Sequence, residues 1–469
     1  MKKKRKMILC GVMTLVMALV MAMPISASAA AKTVTTGEAL TVAINNAEDG
    51  DTIILGADIT QSITIAEDQN ITLDLGGYTL TNTAGSHTIT NNGTLTIIGN
   101  GTVDNVTHAK AALVNYGEAT LEGGTFTRSK EASKSPTDNG GNSYYVIDNQ
   151  GDMTIKDGVT VINKGYYSSL IRNIGSSATD MATLTIEGGT LEQQGFIAVK
   201  NDDYGELDII GGTITSGEQT VQNWSSAEIN GGTLNGSVIT WSYTDRQSGE
   251  SLSETRIISG NINGNVIAVN YDGSNNIPEV IIEGGMITGE LQKGTYNNGI
   301  VISEPTATTA SIVVTGGTFT TAPTDFTEEG MVVVKYTKSG ESSTYYVGAE
   351  EEINDIISGA SSGDEIIVLA GDIDMQIEDE GVKITNNGNG NVTANGITLE
   401  EGDGITTAVT TPSDNTETTT PADETTAASN DKAVATGDDF NMTALLAIMG
   451  IAAAAAAGTV VYGRRKRSN

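Results

Sequence analysis

Short runs of alternating apolar and polar residues follow one another along most of this 469-residue chain. In "ATLEGGTFT" the alternation places Leu121 and Phe126 on one side of the backbone, and "LTIEGGTLE" and "LDIIGGTIT" repeat the pattern. Alternation of this kind, in runs rich in Ile, Val and Thr, predicts β-strands. Glycines between the runs predict corners, because glycine adopts positive φ without steric cost. The apolar residues predicted to face inward are Leu121, Phe126, Leu184, Ile186, Leu191, Leu207, Ile209 and Ile214.

A longer repeat lies above this alternation. An Asn-x-Gly step followed by an apolar-x-Gly-Gly-Thr step recurs almost to the end of the chain, as in "LVNYGEATLEGGTFT" from Leu113. The shortest intervals between Gly-Gly steps are 20 to 24 residues, and longer ones carry inserts such as that after Arg128. A fixed period of this size predicts a solenoid. Because no helical stretch separates the strands, we predict an all-β fold, a parallel β-helix of about ten coils stacked ~4.8 Å apart.

The asparagines of the Asn-x-Gly steps are predicted to lie above one another in successive coils. Stacked asparagine side chains hydrogen-bond to the backbone and to the next amide. We therefore interpret them as a structural ladder, with a ligand site as the alternative. The predicted members are Asn91 or Asn92, Asn115, Asn149, Asn173, Asn201, Asn223 and Asn270.

A short amphipathic helix is predicted before the first coil, where Thr35 and Glu38 form a capping box and Gly50 suits the stop. Its apolar stripe is Ala39, Leu40, Ala43, Ile44 and Ala47. Such a helix would cover the open end of the solenoid. The motif recurs after Ala349, with the stripe Ile353, Ile356, Ile357 and Ala360. This second copy predicts a small C-terminal α+β module over 326–403, following the β-helix with its cap over 32–325.

The two ends of the chain predict export and anchoring. Residues 1–31 have a cationic start, an apolar run and small residues before the predicted cut near Ala29 or Ala31, as in a secretory signal peptide. Residues 404–436 are rich in Thr, Ser, Asp, Glu and Ala, which predicts a disordered stalk. The uncharged stretch Met442–Tyr462 is long enough for a transmembrane helix, and four cations follow it.

Residues 433–469, which include the predicted sorting signal of 437–469, resemble the cell-wall sorting signal of sortase-anchored Gram-positive surface proteins. The resemblance rests on Thr436-Gly437 before a polar spacer, an apolar helix and a basic tail. It implies that sortase cuts between Thr436 and Gly437 and joins Thr436 to peptidoglycan. Ala433 and Val434 stand where the family has Leu and Pro. The alternative is a permanent membrane anchor, so wall and membrane attachment both stay open.

The helix, the Gly-Asp-Thr-Ile-x-Leu segment from Gly50 and the Gly-Gly-Thr coils together resemble the pectate-lyase-like right-handed parallel β-helix of bacterial surface proteins. The resemblance covers roughly 33–322 and is specific for architecture rather than activity. It implies a superfamily that includes pectin lyases, polygalacturonases, adhesins and surface rods.

Charge and cysteine content exclude several classes of function. The formal net charge is −33, which disfavours contact with nucleic acid and anionic lipid. The only cysteine, Cys10, lies in the predicted signal peptide, so the mature chain is expected to lack disulfides and thiolate chemistry. No calcium-loop motif is present in the sequence, and we predict neither a metal nor a cofactor.

A catalytic motif is not evident in the sequence. The arginines of the predicted solenoid are Arg128, Arg172, Arg246 and Arg256, and the histidines of the chain are His87 and His108. Asp202 and Asp203 form an adjacent carboxylate pair, for which the alternatives are a solvated turn and acid–base or cation chemistry. We predict that the protein is not an enzyme, with a polysaccharide lyase or glycoside hydrolase as the alternative.

The candidate ligand-binding residues are aromatic. Trp224 and Trp241 occupy equivalent places in "VQNWS" and "VITWS", Tyr271 follows Asn270, and Tyr116 holds the position nearer the N-terminus. Successive outward rings predict a row suited to stacking on sugar faces. The alternative is that the rings pack together to close a corner. A second group is Tyr144, Tyr145, Tyr166 and Tyr167.

These observations predict an exported, surface-anchored rod that acts as an adhesin or surface-interaction protein. Its predicted partners are sortase, peptidoglycan and a glycan or host surface ligand, with the C-terminal helix in the membrane. A purely structural surface component is the remaining alternative.

Overall fold

The computed structural model describes residues 30–130, 144–163, 169–242, 253–271, 273 and 276–408. In these residues the chain is mostly β, and most strands of its long sheet pair in parallel. This arrangement is consistent with the all-β solenoid that the alternation predicts. Two α-helices, α1 (Gly37–Asn45) and α2 (Glu350–Ile357), and a 3₁₀ turn (Thr324–Phe326) accompany the strands.

The strands are short and follow one another in chain order. The first nineteen are β1 (Ala31–Val34), β2 (Asp51–Leu55), β3 (Ile59–Thr60), β4 (Ile63–Ile65), β5 (Asn70–Asp74), β6 (Thr79–Thr81), β7 (Ile89–Asn91), β8 (Thr94–Ile98), β9 (Thr102–Asp104), β10 (Leu113–Asn115), β11 (Glu118–Leu121), β12 (Gly124–Thr127), β13 (Ile147–Asn149), β14 (Asp152–Ile155), β15 (Val159–Asn163), β16 (Ile171–Asn173), β17 (Ala182–Ile186), β18 (Thr190–Gln193) and β19 (Ile197–Asn201). The others are β20 (Gly205–Ile209), β21 (Thr213–Asn223), β22 (Ser226–Ser242), β23 (Glu254–Ile262), β24 (Val266–Asn270), β25 (Glu279–Ile282), β26 (Met286–Ile287), β27 (Leu291–Tyr296), β28 (Ile300–Ser303), β29 (Ser311–Val314), β30 (Gly317–Phe319), β31 (Val332–Thr337), β32 (Thr344–Gly348), β33 (Glu365–Ala370), β34 (Ile373–Met375), β35 (Lys383–Asn386), β36 (Val392–Ala394), β37 (Ile397–Leu399) and β38 (Gly404–Thr406).

Three parallel ladders run through the main part of the chain, and in each ladder a strand pairs with its equivalent in the next repeat. The first ladder contains β1, β2, β5, β8, β11, β14, β17, β20, β22, β23, β25 and β29. The second contains β3, β6, β9, β12, β15, β18, β21, β22, β23, β26 and β30. The third contains β4, β7, β10, β13, β16, β19, β21, β22, β24 and β27. The long strands β21, β22 and β23 each contribute to two or more ladders.

The core lies between the ladders and is built from in-register columns of aliphatic side chains. One such column of fully buried residues is Leu121, Ile155, Ile186, Ile209, Ile229, Ile257, Ile282 and Val314. Burial of each aliphatic side chain stabilises the fold by about 1.5–3 kcal/mol. All eight residues predicted to face inward are at most 1% exposed, which confirms the alternation.

The two glycines of the Gly-Gly step are required for different reasons, as Gly211 and Gly212 illustrate. A Cβ on Gly211 would lie 2.3 Å from the carbonyl oxygen of Glu187 in the preceding repeat. Gly212 has φ +84, a conformation that side chains of L-residues rarely adopt. The first glycine therefore permits close stacking, and the second permits the corner.

A buried ladder of asparagines runs along the third set of strands. Each Nδ2 except that of Asn223 donates to the Oδ1 of the asparagine in the next repeat, at 2.7 to 2.9 Å, and every member is fully buried. The members are Asn91, Asn115, Asn149, Asn173, Asn201 and Asn223. The inclusion of Asn270 was wrong, because Asn223 pairs with Thr240 and Asn270 pairs with Ser242, two residues further along.

Helix α1 begins one residue later than the capping box predicts. The Oγ1 of Thr36, rather than Thr35, accepts a hydrogen bond from the Ala39 amide at 3.2 Å. The helix ends at Asn45, before Gly50. Leu40, Ala43 and Ile44 are buried in the main core, as the stripe predicts.

A second, smaller apolar core lies in the C-terminal part, and strand β31 divides its side chains between the two cores. Val333 packs in the main core, while Val332 and Val334 pack in the second with Ile353 and Ile357 of α2. The second core also contains residues of β33 to β37. Ile356, predicted to share the stripe of α2, is 38% exposed.

The described strands reach beyond both predicted boundaries. Strand β1 begins at Ala31, within the range predicted to be a signal peptide, and pairs with β2. Strand β38 lies within the range assigned to the stalk and pairs antiparallel with β35. The rest of the signal peptide and stalk, and the whole sorting signal, lie outside the described residues.

Candidate functional site

The two tryptophans lie beside each other because of the strand register in the third ladder. Asn223 of β21 pairs with Thr240 of β22, so Trp224 and Trp241 follow at equivalent places in adjacent repeats. Their ring centroids are 5.3 Å apart and their planes are inclined by 18°. The sequence alignment of "VQNWS" with "VITWS" is therefore confirmed.

Tyr271 joins this pair from a position that the repeat spacing does not give. Trp241 pairs with Val269 and Ser242 pairs with Asn270, so Tyr271 lies two residues beyond the place expected for it. Its ring nevertheless makes edge contacts with Trp224 at 5.5 Å and with Trp241 at 6.1 Å between centroids. Although Tyr271 lies two residues further along the chain, its side chain is long enough to contact both tryptophan rings.

A fourth ring, Tyr296, completes the group and was not predicted. Thr295 of β27 pairs with Asn270, which places Tyr296 beside Tyr271 in the next strand. These two rings stack with centroids 4.7 Å apart, and Tyr296 also contacts Trp241 at 5.8 Å. Trp224, Trp241, Tyr271 and Tyr296 together form what we call the aromatic cluster. In the sequence, Tyr296 follows Thr295 and comes before the Asn297-Asn298-Gly299 step, so the pattern of an aromatic residue after the Asn did not predict it.

The members of the aromatic cluster differ in exposure, and this difference corrects the expectation of one outward row. Trp241 is only 5% exposed, whereas Tyr271 and Tyr296 are 42% and 40% exposed and Trp224 is half-buried. Trp241 packs with Ile239, Ile267 and Val269, so it lies at the floor of the cluster. A flat ligand can contact Tyr271 and Tyr296, but the Trp241 ring is covered by its neighbours.

The two indole nitrogens also have different surroundings. Trp224 Nε1 donates to Gln222 Oε1 at 3.0 Å, which fixes the ring orientation. Trp241 Nε1 is buried, and among the described residues it has no hydrogen-bond acceptor. A buried donor without an acceptor costs about 1–3 kcal/mol, so packing of the Trp241 ring must offset this cost.

Tyr116 is separate from the aromatic cluster. It follows β10, and four parallel pairings separate β10 from the end of β21, a distance of roughly 19 Å at ~4.8 Å per step. Its side chain is 51% exposed. The structure therefore divides the four sequence candidates into a group of three and Tyr116, which lies near Tyr144 instead.

The second tyrosine group contains a buried ionic contact, which we call the Asp148 clamp. Arg172 donates from Nε and Nη2 to the two carboxylate oxygens of Asp148, each at 2.7 Å. The hydroxyl of Tyr144 donates to Asp148 Oδ2 at 2.7 Å, and the Arg172 guanidinium lies 4.8 Å from the ring centroid of Tyr145. Asp148 is fully buried. Tyr166 and Tyr167 lie outside the described residues.

The pKa values of Tyr144, Arg172 and the nearby His87 are shifted from their ordinary values. Burial, followed by the hydrogen bond to Asp148, raises the pKa of Tyr144. Burial alone would lower the pKa of Arg172, but the hydrogen bond and the charge of Asp148 outweigh it and raise the pKa. Burial lowers the pKa of His87, whose ring centroid lies 5.4 Å from that of Tyr144, and the charge of Lys110 adds to this effect. The raised pKa values of Tyr144 and Arg172 suit a structural contact between adjacent strands.

The carboxylates singled out in the sequence do not assemble into a larger acidic group. Asp202 forms an ion pair with Lys200, with 2.8 Å between Lys200 Nζ and Asp202 Oδ2. Within the part of the chain that the structure describes, no group of three or more His, Cys, Asp or Glu side chains is placed to hold a metal ion. Arg246 and the predicted sortase residues Thr436 and Gly437 lie outside that part.

Comparison with known proteins adds no assignment to this geometry. Among the residues that the structure describes, no helix has both the length and the apolar content that a bilayer crossing requires, and the predicted span Met442–Tyr462 lies beyond them. No protein-family model, no curated protein and no solved structure matched this chain.

Proposed function

We propose that this protein is an exported, surface-anchored rod that acts as an adhesin or surface-interaction protein toward carbohydrate-rich surfaces. The rod is a right-handed parallel β-helix of about ten coils, with helix α1 over its N-terminal end. The three parallel ladders and their in-register aliphatic columns support this architecture.

The observation that carries the binding proposal is the aromatic cluster on the outward side of the third ladder. Tyr271 and Tyr296 present stacked rings that are 42% and 40% exposed, and the buried ring of Trp241 supports them from below. Exposed aromatic rings held rigidly by their neighbours suit stacking on the apolar face of a sugar ring. Rigidity lowers the entropy lost on binding.

The binding proposal is tested with the full chain on a glycan array, followed by titration of any glycan that binds. Tyr271→Ala and Tyr296→Ala are each expected to lower affinity roughly thirtyfold, because removing an aromatic anchor costs about 2 kcal/mol or more. Tyr116→Ala is the matched control, an exposed tyrosine outside the cluster, and should leave affinity unchanged. Trp241→Ala should lower the melting temperature, since it removes a buried ring.

Two outcomes would contradict the binding proposal. One is that the full chain binds no glycan on the array. The other is that Tyr271→Ala and Tyr296→Ala bind as tightly as the unmodified protein, which would leave corner packing as the role of the aromatic cluster.

The anchoring proposal rests on the sequence around Thr436 and Gly437. Sortase joins Thr436 to peptidoglycan in this proposal, and Met442–Tyr462 holds the chain in the membrane until then. Thr436→Ala is expected to move the protein from the cell-wall fraction to the membrane fraction. If the unmodified protein is found only in membranes and is released by detergent alone, the segment is a permanent membrane anchor.

A further inference from the structure

The third ladder ends in a hairpin with an open edge. Strand β27 pairs in parallel with β24 on one side and antiparallel with β28 on the other. Within the described residues, β28 pairs with β27 alone. Val301 and Ile302 of β28 are both 49% exposed. An apolar strand with an unpaired edge readily accepts a further strand.

The outward face of this hairpin continues the surface of the aromatic cluster. Gly294 pairs with Val269 on one side and Ile302 on the other, and Tyr296 pairs with Ile300. Because paired residues share a face of the sheet, Ile300 and Ile302 lie on the same side as Tyr296. Ile300 packs against the buried apolar group beneath the cluster. The apolar face therefore reaches the open edge, while Val301 points to the other side.

The sequence of this edge complements itself. Ile300-Val301-Ile302 reads the same in both directions, so a second copy can pair antiparallel with Val301 opposite Val301. In that register Ile300 of each copy lies opposite Ile302 of the other. All opposing residues are β-branched and apolar, which is the composition that cross-strand pairs favour. The two-fold axis passes through the Val301 pair, as an isologous interface requires.

The charge distribution also favours a second copy at this edge. The formal net charge of the chain is −33, so two copies repel each other over most of their surface. The hairpin Leu291–Ser303 contains one cation, Lys293, and no carboxylate. In the register above, Glu304 of one copy would lie opposite Asn298 of the other, which avoids a pair of like charges.

We propose that this protein forms a symmetric dimer by antiparallel pairing of β28 from two copies, with Val301 at the two-fold axis. The two aromatic clusters then lie on the same face of one continuous sheet. A surface ligand can contact both clusters at once, which raises its overall affinity without any new contact within either copy.

Cysteine cross-linking of the full chain tests this pairing directly. The background is Cys10→Ser, which removes the native thiol. Directly opposite residues of antiparallel strands have Cα atoms about 4.5–5.5 Å apart, which a disulfide can span. Val301→Cys should therefore give a disulfide-linked dimer on mild oxidation, seen on a non-reducing gel. Ile397→Cys is the matched control, because Ile397 is also on a strand and is 52% exposed.

The register is tested with two further variants. Ile300→Cys and Ile302→Cys should cross-link weakly alone and strongly when the two proteins are mixed. Val301→Lys, which places like charges at the axis on an exposed position, should abolish cross-linking of a reporter Ile300→Cys/Ile302→Cys mixture. The proposal is overturned if Val301→Cys cross-links no more than Ile397→Cys, or if cross-linking survives Val301→Lys.

Discussion

Replacing Asn149 by alanine is expected to destabilise the fold far more than one hydrogen bond would suggest. Asn149 lies in the middle of the asparagine ladder and is fully buried. Its Nδ2 donates to Gly151 O at 2.9 Å, Asn173 Oδ1 at 2.7 Å and Thr183 O at 3.0 Å. Its Oδ1 accepts from Asn115 Nδ2 at 2.8 Å. The substitution therefore removes contacts to three repeats at once.

The expected loss of stability follows from the acceptors that lose the Asn149 Nδ2 donor. Asn173 Oδ1 is buried and Thr183 O is part-buried, and each such polar group left unsatisfied costs up to about 1–3 kcal/mol. We expect Asn149→Ala to lower the free energy of unfolding by about 2–6 kcal/mol. Asn92→Ala is the matched control, because Asn92 is half-buried, lies outside the ladder and donates to Ile65 O at 3.2 Å. Its loss should cost about 0.5–1.5 kcal/mol.

Urea unfolding of both variants measures the difference as a shift in midpoint at unchanged slope. A second measurement uses the double variant Asn149→Ala/Asn173→Ala. Because removal of Asn173 also removes the acceptor that Asn149→Ala leaves unsatisfied, the double variant should cost at least about 0.5 kcal/mol less than the sum of the single variants. Equal costs for Asn149→Ala and Asn92→Ala, or strict additivity, would show that the ladder does not stabilise the coils.

Three further predictions concern the strand register, the corners and the charge on the outer surface. Ile209→Asp should lower the melting temperature steeply, since it buries an unpaired charge at a cost of several kcal/mol. Ile210→Asp, at the adjacent, 52% exposed position, should change the free energy of unfolding by about 0.5 kcal/mol or less. Similar melting curves for the two variants would disprove the strand register. Gly212→Ala should lower the free energy of unfolding by roughly 1–2 kcal/mol, because Gly212 has φ +84. An unshifted melting curve would show that this corner does not require glycine. Burial, with Glu228 on the adjacent strand, raises the pKa of Asp208. The folded state therefore binds this proton more tightly than the unfolded state does. The free energy of unfolding falls as pH rises through the interval between the ordinary pKa of 3.8 and the raised pKa of the folded state. Asp208→Asn should raise the melting temperature at pH 7 and lose that advantage below this interval; a constant advantage at all pH values would exclude this origin.

The sequence was sufficient to predict the core because the core depends on local alternation and a fixed repeat. Leu121 and Ile209 are fully buried, as the period of two predicts. Asn115 and Asn149 stack because each lies two residues before a glycine, Gly117 or Gly151, that permits close approach to the preceding repeat. These features need no knowledge of distant side chains.

The candidate site was predicted only in part, because it depends on features that repeat spacing does not encode. Thr240 pairs with Ala268 in a continuous register, so the ladder position of Asn270 was wrong and Tyr271 lies two residues beyond the place expected for it. Tyr296 comes from the strand that begins the terminal hairpin, where the aromatic residue follows Thr295 and comes before the Asn297-Asn298-Gly299 step instead of after its Asn. The burial of Trp241 depends on packing by Ile239 and Ile267 from outside the main core.

The asparagine ladder also gives the molecule an electrical polarity along its length. Six side-chain amides point the same way, each Nδ2 toward the C-terminal neighbour, so their dipoles add instead of cancelling. Aligned amide dipoles in a helix produce a partial positive charge at the end where N–H groups point, and the same physics applies here. The positive end lies at Asn223, next to Trp224. In a strongly acidic molecule, the Asn223 end of the asparagine ladder therefore has a local positive potential.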